Sequence, residues 1–278
     1  MQPFVSIAGA GNEATNISPT VSTNVIIRAC AASSISACRL ADASGIGGMA
    51  VYYTGGTTAY PISGIPFLVY DCLLASNETH VKIHSAPLLT GGGLCLLSVQ
   101  GCRFGTDNLI TGFECASANN KIAYLTIQDC VAVFEGVFVD TFIKAYGTTS
   151  FLIATSVVAS NLSGTGIGLH ISDGASVSGN AVKLTGFTTG VWSENFGAAP
   201  QIIAQLELAN ITNDVLIENP GTTGSITGSA DHLKVTVDPL SPIAMSYANE
   251  MAGSVVLKSI YQGDRNDRLL NLSHLVRE

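Results

Sequence analysis

A handful of residues are placed so that one repeating turn would line them up for chemistry. With Gly112, Gly136, Gly166, Gly190 and Asp214 taken as equivalent corners, the fourth residue after each reads Ala116, Asp140, His170, Glu194 and Glu218. Two residues after the corner come Glu114, Phe138 and Trp192, the last being the chain's one tryptophan. Two carboxyl groups facing each other can serve as acid and base, or as acid and nucleophile, on a glycosidic bond. Aromatic rings beside them offer flat apolar faces for a sugar. Neighbouring rungs of a stacked sheet lie ~4.8 Å apart and alternate rungs ~10 Å apart. These spacings bracket the ~5–5.5 Å and ~6.5–9.5 Å carboxyl separations of retaining and inverting glycosidases. Asp140, His170, Glu194 and Glu218 are thus the catalytic candidates, with Phe138 and Trp192 as ligand-binding ones. The same strip also fits a solvated outward face, and in this alignment it holds no Lys or Arg to serve as a lyase base.

Other motifs carry less. Thr79-His80-Val81-Lys82-Ile83-His84 alternates like a strand, which turns His80, Lys82 and His84 to solvent together. A cation between the two histidines opposes a metal. Gly9-x-Gly11-x-x-Ala14 matches a loose nucleotide fingerprint, but Asn16-Ile17-Ser18-Pro19 follows where the fingerprint needs a helix. No metal or cofactor is expected. The seven cysteines, at 30, 38, 72, 95, 102, 115 and 130, include no C-x-x-C pair and read chiefly as buried thiols.

The elements that must position these residues are short strands. Apolar and polar residues alternate over runs bounded by Gly, Asn, Asp and Ser, a period of two. One unit recurs as Phe67-Leu-Val69-Tyr-Asp-Cys72, Leu97-Ser-Val99-Gln-Gly-Cys102, Leu125-Thr-Ile127-Gln-Asp-Cys130 and Leu152-Ile-Ala154-Thr-Ser-Val157. The corner unit above recurs alongside it. A single coil of 24–30 residues cannot bury its own apolar face, so coils stack. Cys72, Cys102, Cys130 and Val157 then form one inner column. Nine or ten coils are expected, a rod of about 45 Å.

Composition agrees. Ala, Gly, Ser and Thr supply 110 of 278 residues, and charged residues only 12%. Mean hydropathy is +0.39, too apolar for disorder. No apolar run reaches the ~18 residues of a membrane-spanning helix. The net charge of −8, without a Lys/Arg cluster, opposes nucleic-acid binding.

On these repeats, and on the opening Phe4-Val-Ser-Ile-Ala-Gly9-Ala-Gly11, the sequence resembles the right-handed parallel β-helix (pectate-lyase-like) superfamily, of viral or microbial surface type. The resemblance implies an all-β, right-handed parallel β-helix over residues 1–240. Its members include lyases, hydrolases, esterases, tailspikes, adhesins and plain rods, so fold does not choose an activity. Gly136-Val-Phe-Val-Asp140-Thr-Phe142 is similar to a segment of pectin methylesterases, but the match falls on Asp140 alone.

Residues 241–278 break the repeat. Ser254–Tyr261 reads as a last strand. Asp264, Arg265, Asp267 and Arg268, followed by Leu269, Leu270, Leu272 and Leu275, read as a capping or oligomerisation segment. The expectation is a non-enzymatic structural or surface protein: a virion spike, fibre or shell component, or a microbial surface rod. It would work as a homo-oligomer, a trimer being one form, or as part of a larger assembly. The N-terminus shows no leader, and a virion or extracellular surface is the expected place, with the cytoplasm left open. The alternative is a polysaccharide-binding or polysaccharide-cleaving protein using the outward strip.

Overall fold

The computed structural model describes residues 5–20, 25–29, 32–43, 48–53, 66–85, 94–106, 110–117, 122–135, 140–230, 235–251 and 254–261. Over these the chain is a parallel β-solenoid of 24 strands with no helix. The strands form one sheet of fifteen and one of nine.

Each coil runs along two limbs of the larger sheet, then crosses to the smaller one. The coil Leu94–Gln100, Arg103–Thr106, Thr111–Ser117 shows the plan. Between the two limbs sits one residue in the left-handed region. Successive coils place Ala37, Asp71, Gly101, Asp129, Ser156 and Ala181 there, with φ between 51° and 62°. A side chain in that conformation costs roughly 1 kcal/mol. The ladder continues through the bend all the same: the Asp71 amide donates to Gln100 O at 3.1 Å and the Gly101 amide to Gln128 O at 3.0 Å.

Just past each bend an inward residue begins the second limb. Cys38, Cys72, Cys102, Cys130, Val157 and Val182 make this column, all buried. Each of the four thiols lies 3.1–3.4 Å from the carbonyl two residues before it, so all four adopt the same pose. The six described cysteines form no disulfide and are buried. Burial pushes the Cys130 thiol up to about 11 and the Cys115 thiol to about 12. On the first limb Phe67, Leu97, Leu125 and Leu152 stack in register, as the repeat anticipated, and Val177 and Ile202 continue the column. Inside, Phe113 contacts Phe104 and Phe142 at centroid distances of 4.9 and 5.6 Å and joins the two sheets.

The coils shorten along the rod, from 30 residues between Phe67 and Leu97 to 19 between Gly224 and Ile243. Part of the loss is the bend itself: the register shifts between Gly179 and Val182, so the next strand, Gln201–Ala209, has no left-handed corner. Parallel pairing does not stop at residue 240. Ile243–Met251 adds in parallel to Thr223–Ala230 before Ser254–Tyr261 reverses and pairs antiparallel.

Candidate functional site

The outer surface of the nine-stranded sheet carries a series of side-chain contacts between coils. Phe113, Ile143, Leu169, Val191 and Val215 of its strands point inward. Pairing puts Tyr52, Lys82, Glu114, Lys144, His170, Trp192 and Leu216 in one outward column. A second column, two residues further on, holds His84, Ala116, Tyr146 and Ser172, and continues to Glu194 and Glu218 at the strand ends.

One contact pattern repeats. In three rungs the second-column side chain reaches diagonally back to the first-column side chain of the rung before. Tyr146 Oη donates to Glu114 Oε1 at 2.6 Å. His170 Nε2 lies 2.9 Å from Glu194 Oε2, and Trp192 Nε1 donates to Glu218 Oε2 at 2.9 Å. Along the first column, Lys82 Nζ pairs with Glu114 at 2.8 Å, and the His170 and Trp192 rings stack with centroids 4.6 Å apart and planes 11° apart. Lys144 Nζ lies 5.7 Å from the Tyr146 ring centroid.

These contacts set the protonation states. Burial lowers the pKa of His170, and Lys144 lowers it further, against the pull of Glu194. The imidazole is therefore neutral at pH 7 and donates its Nε2 hydrogen to the Glu194 carboxylate. Burial and the Glu114 charge push the Tyr146 phenol upward. Asp173, on the turn after the His170 strand, is raised by burial and then by the like charge of Glu194.

Two shallow clefts flank the stitched residues. One of about 250 Å³ is lined by Lys144, Tyr146, Ser172, Asp173, Glu194 and Phe196. Phe196 is 65% exposed at its rim. The other, of about 470 Å³, is lined by Asn195, Ile217, Glu218, Thr236, Val237, Asp238 and Pro239. Among the described residues no group of three or more His, Cys, Asp or Glu is placed to hold a metal ion.

The predicted strip is rearranged in two rungs. Thr141 pairs with Thr111 and Ile167 with Thr141, so the true corners are Phe142 and Gly168, where Gly136 and Gly166 were expected. His170 consequently stands in the first column, beside Trp192, and Glu194 and Glu218 keep the second. Asp140 leaves the strip: it is exposed at the opposite end of its strand, where its carbonyl accepts from the Ile167 amide at 2.8 Å. The residues that take the vacated positions are Lys144 and Tyr146, and the strip does contain lysines, Lys82 and Lys144. Corner glycines misled because a Gly before an apolar residue is common in this chain. The threonine at Thr111, Thr141 and Thr189 was the better marker of register. Phe138 lies outside the described residues, as do Asp264, Arg265, Asp267, Arg268, Leu269, Leu270, Leu272 and Leu275.

His80 is also corrected. It does not share solvent with Lys82 and His84 but is fully buried near the start of its strand, its ring 5.2 Å from Phe104. Its Nδ1 lies 3.4 Å from Asn77 Nδ2, while Nε2 has no partner. Burial depresses its pKa to about 3, so it is neutral. Strand alternation fails there because Thr79 and His80 sit on the bend into the sheet, where backbone direction changes.

The chain matches no family model, no curated protein and no solved structure.

Proposed function

We propose that this protein is a non-enzymatic structural or surface rod, of the kind that builds a spike, fibre or shell on a virion or a microbial surface. The observation that supports this reading is the diagonal stitch. Glu114, Glu194 and Glu218 each spend a carboxylate oxygen on a neighbouring coil. These oxygens fasten one coil to the next. The contacts are individually worth about 0–1 kcal/mol at the surface, and their repetition along the axis stiffens a rod.

The test is a cleavage assay against a panel of neutral and acidic polysaccharides, following reducing ends and the ultraviolet absorbance of unsaturated products. The expected result is no turnover by the wild type. Turnover that disappears in Glu194→Gln would overturn the rod reading.

A second reading, polysaccharide binding, draws on the cleft. Exposed Phe196 and the flat Trp192–His170 stack flank a wall of Lys144, Tyr146, Asp173 and Glu194. Such a mixture of ring faces and charged hydrogen-bonding groups suits a sugar chain. Affinity electrophoresis in gels containing each polysaccharide decides it: retardation lost in both Phe196→Ala and Trp192→Ala supports binding, and unretarded wild type rejects it.

A further inference from the structure

The first limb of the larger sheet presents a face unlike any other on the molecule. Its central outward column runs in register from Ser6 to Ala244 over ten strands. The middle of the column reads Leu68, Ser98, Thr126, Ile153, Ser178, Ile203, and no residue from end to end is charged. On one side, Tyr70, Gln100, Gln128 and Thr155 continue uncharged up to the bend. On the other, the Tyr124 and Phe151 rings stack with centroids 6.2 Å apart. Large apolar groups remain open to water: Leu68 and Tyr70 are 40% exposed and Ile203 is 50% exposed.

We infer that this face binds the same face of a second copy of the chain. Two arguments select that partner. The first is charge. The chain carries −8, and on its other surfaces the carboxylates of Asp173, Glu194 and Glu218 stand alongside the ion pairs Lys82–Glu114 and Lys183–Glu207. Copies repel one another across those surfaces, and unlike-charged partners are steered to them. The face without charge offers such a partner nothing, and it is where two identical chains approach at least electrostatic cost. The second is area. Ten rungs at ~4.8 Å and three outward columns make a patch about 45 Å long and about 18 Å wide. That is roughly 800 Å², about what each partner of a stable pair buries. Both faces have the same rung repeat, so Ile and Leu of one copy meet Ser and Thr gaps of the other, and a two-fold contact closes the assembly at a dimer.

This deepens the rod reading by naming its partner. It also differs from assembly through the C-terminal segment, and the experiment separates them. Sedimentation of the full chain over a concentration series should give twice the chain mass. Ile153→Lys and Ile203→Lys, each burying an unpaired lysine in the apolar contact, should weaken association at least tenfold. Val158→Lys, on the second limb, should leave it unchanged, with circular dichroism confirming fold in all three. The proposal fails if the wild type is monomeric throughout. It also fails if the two face variants associate as the wild type does, or if Val158→Lys or removal of residues 262–278 abolishes association while they do not. A monomer that co-sediments with an insoluble polysaccharide would reassign the face to that polymer. Turnover of polysaccharide by an intact dimer would instead sink the rod reading and leave this one standing.

Discussion

Two faces of one solenoid, built by the same alternation on the same rungs, have opposite characters. The nine-stranded sheet carries Lys82, Glu114, Tyr146, His170, Trp192, Glu194 and Glu218 on its outer side and binds them to one another across coils. The first limb of the larger sheet shows uncharged groups in its outward columns, Ser, Thr, Asn and Gln among apolar ones, with Leu68, Tyr70 and Ile203 left open to water. Both faces back onto the same buried apolar core. What differs is who supplies the partners. Charged groups on the one face are partnered within the chain, whereas the other leaves apolar groups open to water.

The largest effect expected to sharpen this contrast lies beneath the charged face. His80 is neutral when folded, with a pKa of about 3, and takes up a proton when unfolded near its ordinary 6.5. Between these values the unfolded state binds more protons. Stability is therefore complete above pH 6.5, falls as pH drops, and levels off near pH 3, a loss on the order of 5 kcal/mol. Urea unfolding at pH 7 and pH 4 measures it. His80→Leu should flatten the slope, and an unchanged slope would place the acid sensitivity elsewhere.

Next comes the stitch. Glu114→Gln removes the charge that serves both Lys82 and Tyr146, at an expected cost of about 1–2 kcal/mol. Thr126→Ala, on the uncharged face, should stay within about 0.5 kcal/mol. Equal losses in urea unfolding would erase the distinction between a braced face and an unbraced one. Salt gives a smaller contrast. Concentrated sodium chloride should lower monomer stability by less than about 1 kcal/mol through the strip, while dimerisation is kept or strengthened as like-charge repulsion is screened. Dimers that dissociate in salt would mean that charge, not apolar cover, holds them. The smallest effect belongs to the bend between limbs. Ala181 has φ 52°, a conformation glycine adopts without strain. Ala181→Gly should raise stability by about 0.5 kcal/mol, read as a small shift in the urea midpoint.

Much of this was legible before folding, and the boundary between legible and illegible runs through particular residues. The column Cys72, Cys102, Cys130, Val157 was found at its true register because each residue follows a fixed run of strand and a bend of one residue. Trp192, Glu194 and Glu218 were placed correctly because Gly190 and Asp214 are equivalent corners, flanked by the pairs Thr189–Asn213 and Val191–Val215. Lys144, Tyr146 and the true position of His170 were missed because the turns before those two strands differ in length, and an outward residue leaves no apolar signature to correct the count. Asp173 and Phe196 belong to turns, where no periodicity operates.

By itself the sequence determined the alternation, the stacking of coils and the inner columns. Burial is a property each residue type carries with it, and a period of two expresses it locally. Which side chains meet across coils was decided only in three dimensions. A shift of one or two residues in a turn costs the core little yet exchanges every outward neighbour, turning a supposed row of carboxylates into a set of paired ones. The bare face was decided there too: Ser98, Thr126, Ile153 and Ser178 lie 25–28 residues apart in the chain, and only register makes them one surface.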